Sequence, residues 1–284
     1  MELNPAGEPE GNGAAIFIQV YDMAGNWAGM GAWNLGIDKT PPSTAMLPLA
    51  VSQPSSAFLI EWTGSDSMSG LDYVNIQESV NSGNWTNLTP VDGSIFKNWI
   101  VGSAGKTYSY RMAGVDNSGN TENYPTAAET TTTIPAAQVL CFAPDSYDTS
   151  GNDNSPANAS MIYLNGAGQF HNFCNPLVPG FLNDEDWIKL IPVLGQRYYI
   201  LSEAYSQPSA TVISLFAQDG TTLLAEATPS VFGSNTGLGW LADRNEPVYL
   251  RLRHLDGRVI GKDVGSTIYV KTGHQIILPI IGHP

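Results

Sequence analysis

Charge and cysteine are both scarce in this sequence. Asp, Glu, Lys and Arg make up 13% of its 284 residues, and only two residues are cysteine. So little charge, together with 29 glycines and 19 prolines, excludes a coiled coil and argues against a helical cytosolic enzyme. No apolar run approaches the roughly 18 residues that a membrane-crossing helix needs. Signatures of catalysis are missing too: there is no G-x-S-x-G, H-E-x-x-H, Walker loop or G-x-G-x-x-G, and the histidines (His171, His254, His274, His283) are scattered. Without a nucleophile–base pair, a metal-protease helix or a phosphate cradle, the chain is expected to be non-catalytic.

Bases are fewer than acids, with 12 Lys and Arg against 26 Asp and Glu. Residues 1–135 hold 13 acids and 4 bases, and residues 136–284 hold 13 and 8. Both halves would repel a phosphate backbone, so nucleic acid is not an expected partner. Such acidity favours solubility and leaves carboxylates free for calcium. The opening MELNPAGEPEGNGAA has neither a basic n-region nor an apolar h-region. An export signal is therefore expected to have been removed, or Met1 to lie inside a longer chain.

What is present is β-patterned. AIFIQVYDMAGN leads on to Thr40-Pro41-Pro42, and YSYRMAGVDNSGN leads on to Ile134-Pro135, so that Asp22, Gly25, Asn26 and Pro41 recur as Asp116, Gly119, Asn120 and Pro135, 94 residues on. A period of that length fits a sandwich repeat, and the chain would start with the last two strands of one copy. In Asp-x-x-Gly-Asn the aspartate can accept from amides two residues on and the glycine supplies a positive φ, which predicts a hairpin turn; a calcium role for Asp22 or Asp116 is the alternative. Alternation in AFLIEW and YVNIQ predicts two strands, with Trp62 in the core. In order and spacing, WTGSDSMSGLDYVNIQ, GKTYSYRMAGVDNSGN and DKTPP resemble the bacterial immunoglobulin-like, fibronectin-type-III-like repeats of secreted proteins.

A different pattern begins at Cys141. Between Cys141 and Trp187 lie both cysteines, five aspartates and a strand-like run, Met161–Leu164. One disulfide, Cys141–Cys174, can form, at home in an oxidising compartment and worth about 3–4 kcal/mol by loop closure. Strands are predicted at Asp186–Leu190, after a Gly195 turn through Leu201, across a Gln218-Asp219-Gly220 hairpin, at Gly239–Leu241, Val248–Arg253 and Ser266–Lys271. DSYD, NGAGQFHNFC, DEDWIKL, LGQRYYI, ISLFAQDGTTLLA and PVYLRL together resemble the bacterial pre-peptidase C-terminal domain, a jelly-roll-like β-sandwich of exported proteins. The expected fold is thus all-β: terminal strands of a truncated repeat (1–38), a complete immunoglobulin-like sandwich (39–135), a jelly-roll-like sandwich (136–272) and an apolar C-terminal tail (273–284).

Asp145, Asp148 and Asp153 occupy one loop and Asp184 and Asp186 another, and the disulfide would draw the loops together. Some relatives of the sandwich that this segment resembles, notably collagen-binding domains of clostridial collagenases, bind calcium near these loops. The resemblance thus names these five aspartates as Ca2+ ligands, while turn capping explains each one singly. His171 reads as a strand residue rather than a base. Tyr249, Arg251 and Arg253 share one face of a strand, either as a solvated face or as a ligand-binding one.

These readings predict a non-catalytic extracellular or cell-surface accessory region that spaces, adheres or targets, partnered by an extracellular polymer, a matrix protein or a neighbouring subunit. The alternatives are the C-terminal portion of a secreted peptidase and a structural subunit of a cell-surface assembly joined by strand addition.

Overall fold

The computed structural model describes residues 10–150 and 152–273, without the side chains of 13–18, 30–35 and 149–150. Apart from Gly273, the apolar tail expected at 273–284 lies outside the described residues. The architecture is all-β, as expected, and falls into two compact units. One gathers the described residues through Val51 with Leu59–Trp99 and Thr107–Thr132; the other gathers Ser52–Phe58, Ile100–Lys106 and the described residues from Thr133 onward.

The chain opens with β1 (Gly11–Tyr21) and β2 (Trp27–Ile37), paired antiparallel as a two-stranded sheet. There follow β3 (Ser43–Met46), β4 (Ala57–Ser65), β5 (Leu71–Val80), β6 (Thr86–Asn87), β7 (Val91–Asp92), β8 (Lys97–Val101), β9 (Lys106–Asp116) and β10 (Thr130–Ile134). They form a β3-β4-β8 sheet and a β10-β9-β5-β6 sheet, with β7 also on β5. Period-two patterning sets the buried faces: Ile60 and Trp62 on β4, Val74 and Ile76 on β5, Tyr110 and Met112 on β9. Trp62 is a core residue, as read from the sequence, and buried Tyr110 donates its hydroxyl to Glu78 Oε2 at 2.8 Å.

The 94-residue repeat is exact at the level of single hydrogen bonds. Asp22 Oδ1 accepts from the amides of Ala24 and Asn26, and its Oδ2 from the Asn26 side chain. Asp116 accepts from Ser118, Asn120 and the Asn120 side chain in the same way. Gly25 and Gly119 take φ +85° and +87°, a region closed to most L side chains.

After Pro135 comes a single helical turn, α1 (Ala137–Leu140). Proline restricts the residue before it, not those after it, so a turn can start there. Next come α2 (Ser146–Ser150), β11 (Ser160–Met161), β12 (Gln169–Asn172), β13 (Glu185–Leu190), β14 (Arg197–Ala204), β15 (Thr211–Phe216), β16 (Leu223–Ala227), β17 (Thr236–Leu241), β18 (Val248–His254) and β19 (Gly265–Thr272). The run Met161–Leu164 contributes only Met161 to a strand, because the chain turns at Asn165, whose φ is +55°.

Two sheets result, β11-β13-β18-β15-β16 and β12-β19-β14-β17. Their facing residues form one core, including Ile188, Leu190, Ile200, Ile213, Leu250, Leu252, Ile268 and Val270. Each such side chain contributes about 1.5–3 kcal/mol on burial. Asp219 closes the β15–β16 hairpin by accepting from the amides of Thr221 and Thr222, with Gly220 at φ +68°.

Candidate metal centre

The Cys141–Cys174 disulfide is formed, with an S–S distance of 2.04 Å, and it ties the segment after α1 to the segment after β12. Beside it the five predicted aspartates converge, all buried: Asp145 is 7% exposed, Asp148 6%, Asp153 1%, Asp184 4% and Asp186 0%. Asp186 reaches this position by strand alternation, since it shares the inward face of β13 with Ile188 and Leu190.

The five differ in what their oxygens do. Asp145 caps α2, its Oδ1 accepting from the amides of Tyr147 (2.8 Å) and Asp148 (3.3 Å), while its Oδ2 accepts from the Asn172 amide of β12 (2.8 Å). Asp184 Oδ2 accepts from the Cys174 amide at 2.7 Å, coupling the acidic loop to the disulfide. In contrast, both carboxylate oxygens of Asp148, Asp153 and Asp186 are buried without a hydrogen bond. An unpaired buried polar group is costly, and a charged one far more so.

His171 stands in the middle. It is a residue of β12, as expected, but its ring is fully buried and neither nitrogen makes a hydrogen bond. Nδ1 lies 3.6 Å from Asp186 Oδ1, 3.7 Å from Asp153 Oδ2 and 4.0 Å from Asp145 Oδ2, and the ring stacks on Tyr147 at 4.6 Å. The reading of His171 as an ordinary strand residue missed this. Its only trace in the sequence is the period that turns His171 inward, between an aspartate-rich loop and a half-cystine. β12 also needs Gly265 opposite: a Cβ there would stand 2.0 Å from the His171 carbonyl oxygen.

Ligand atoms lie within 4.8 Å of one another in two sets that share Asp186, namely Asp145/His171/Asp186 and Asp148/Asp184/Asp186. Burial, reinforced by neighbouring carboxylates, pushes Asp148 up to about 8 and Asp184 up to about 9. Asp153 is pushed up to about 6 by burial, which His171 opposes, and Asp186 is raised mainly by burial. Burial pulls His171 down against the pull of the carboxylates around it. A divalent cation in the cage would offset the buried negative charge of these carboxylates, and oxygen-rich cages of this kind suit calcium's six to eight ligands. A cavity of about 100 Å³, lined by Asn183, Asp184, Glu185, Arg253, His254 and Gly257, adjoins the cage on the Asp184 side.

A third acidic group lies in the first unit, where Asp38, Asp66 and Asp116 approach equally closely. Here backbone amides fill most of the oxygens: Asp38 accepts from Thr40 and Ser69, and Asp66 Oδ1 from Met68 and Gly70.

Tyr249, Arg251 and Arg253 do share one face of β18, alternating with buried Val248, Leu250 and Leu252. Arg251 is engaged within that face, 3.4 Å from Glu185 Oε1 and lying over the rings of Phe216 (5.1 Å) and Trp187 (5.8 Å). The three residues do not join the cage, although Arg253 lines the cavity beside it.

No protein-family model matches the chain, and no curated protein does. Among solved structures it aligns with SGBP-B of the Bacteroides ovatus mixed-linkage glucan utilization locus, in complex with a mixed-linkage heptasaccharide, at 14% identity over 93% of this chain and 60% of that one (TM-score 0.22). It also aligns with an α-L-rhamnosidase from Dictyoglumus thermophilum at 9% identity, over 81% of this chain and 27% of that one (TM-score 0.24). A third is the Streptomyces avermitilis α-L-rhamnosidase complexed with L-rhamnose, at 11% identity over 81% and 22% (TM-score 0.24). The chain thus spans less than two thirds of the length of each.

Proposed function

We propose that the chain is a non-catalytic accessory region of an exported protein, in which immunoglobulin-like repeats (terminal strands to residue 38, a full copy over 39–135) lead to a calcium-stabilised, pre-peptidase C-terminal-like sandwich (136–272). Asp145, Asp148, Asp153, Asp184 and Asp186 hold the cation. The observation that carries this reading is the set of six buried oxygens on Asp148, Asp153 and Asp186 that accept no hydrogen bond. Native proteins rarely leave such groups unpaired, and a cation supplies what amides here do not. The disulfide supports an oxidising, extracellular setting, where calcium modules with dissociation constants of about 10⁻⁴–10⁻³ M are filled. In this role the sandwich presents its outer faces, that of Tyr249, Arg251 and Arg253 among them, to an extracellular polymer, a matrix protein or a neighbouring subunit.

The test is elemental analysis and thermal melting of the purified chain with and without chelator. Bound calcium and a melting temperature several degrees higher with it are expected. A metal-free protein whose melt ignores calcium would overturn the reading. Arrays of glycans and matrix proteins, probed with calcium present, then address the partner.

A further inference from the structure

Five buried carboxylates are too many for one divalent ion, which would leave three formal negative charges in a site almost closed to water. Two such ions would leave one. The geometry already divides the donors in two around Asp186, and the halves differ in chemistry. The Asp148/Asp184/Asp186 half offers oxygen alone. The other half contains an imidazole, which calcium has no use for and which suits first-row transition ions.

We infer that the cage is a two-ion centre, in which a transition-metal ion of the Zn2+ class is held by His171 Nδ1, Asp145, Asp153 and Asp186, next to calcium on Asp148, Asp184 and Asp186. The inference rests on the cage being a cation site and adds a second ion of a different kind. Three carboxylate oxygens from three residues lie 3.6–4.0 Å from one ring nitrogen. That is too long for hydrogen bonds, and close to the roughly 3.4 Å that separates ligands each about 2.1 Å from a shared tetrahedral ion. Four protein donors and no open position describe a closed, structural site. The ring is held by its stack on Tyr147 and is fully buried. Asp186 would bridge the two ions with its two free oxygens.

The experiment uses the full chain, purified without a polyhistidine tag, stripped by chelation and reloaded with Ca2+, Zn2+ or both. Mass spectrometry of bound metal should then find one Zn2+ alongside Ca2+. In ring ¹⁵N spectra, Zn2+ but not Ca2+ should move a His171 nitrogen to a metal-bound shift, with His254 as the internal reference, since its ring is engaged by the Pro208 carbonyl and the Asp256 amide. His171→Gln should weaken Zn2+ binding at least about tenfold and leave calcium content unchanged. Calcium binding without Zn2+, or Zn2+ bound with the His171 ring signal unmoved, overturns the second ion and leaves the calcium reading standing. A chain that binds neither ion overturns both. The ring spectra require only the unmodified protein, so a His171 variant that failed to fold would not remove the test.

Discussion

The two acidic clusters of this chain bring carboxylates equally close together and differ in how many of their oxygens accept. Among the six oxygens of the first unit's cluster only Asp66 Oδ2 is buried without a partner, whereas in the second both oxygens of Asp148, Asp153 and Asp186 are. In the first unit Asp38, Asp66 and Asp116 sit at turns and accept from amides within a few residues, or from a neighbouring turn. In the second, Asp148, Asp153 and Asp186 come from a helix, a loop and a strand, and accept from nothing. Proximity of carboxylates therefore does not define a metal site. Lone pairs that the backbone has left unfilled are the better criterion.

The comparison can be broken most forcefully at the disulfide, because only the second unit has one. Replacing Cys141 and Cys174 together by Ala should cost about 3–4 kcal/mol and lower the calorimetric transition of that unit by roughly 10 °C, leaving the first unit in place. Calcium comes next. At about a hundred times its dissociation constant it should add about 2.7 kcal/mol to the second unit, and Asp186→Asn should abolish that gain.

The calcium effect should also depend on pH, with a definite sign. In the cation-free fold Asp153, Asp148 and Asp184 hold their protons up to about 6, 8 and 9, because burial and mutual repulsion disfavour the anions. An unfolded aspartate releases its proton near 4. At these three aspartates the fold therefore binds more protons than the unfolded chain between about 4 and 9, and their contribution to cation-free stability falls as pH rises through that window. Melting with and without calcium at pH 5, 7 and 9 should show an increment that grows with pH.

In the first unit the same treatments should do little. Asp116→Ala should cost about 1–2 kcal/mol by unpairing the turn amides, with no change in calcium dependence; a calcium-sensitive Asp116 would erase the distinction between the clusters. The smallest effect belongs to His254, buried with its Nδ1 accepting from the Asp256 amide and its pKa lowered mainly by burial. Stability from that neutral ring is present above the ordinary histidine range near 6.5 and is lost as pH falls below it. His254→Gln should flatten that part of an acid-denaturation curve.

Much of this architecture was legible in the sequence. Alternation placed most strands, two cysteines allowed one pairing, and Asp-x-x-Gly-Asn gave a turn repeated bond for bond. The convergence of five aspartates was also legible, through the disulfide that draws together the loop of Asp145, Asp148 and Asp153 and the loop of Asp184 and Asp186. Whether those aspartates had partners was not, because that depends on which amides the tertiary fold leaves within reach. Asp145 illustrates the limit: from its surroundings in the chain it is a helix cap, and only the arrival of β12 gives its second oxygen to Asn172. His171 was hidden for the same reason, its neighbours in space coming from three separate segments.

Gly265 has no donor atom and no titratable group, yet any side chain there would collide with the backbone of His171. A survey of variants scored by metal content should therefore find a position intolerant of substitution one strand away from His171. Beside the side chains that would hold the proposed ions stands a residue whose entire contribution is to leave room.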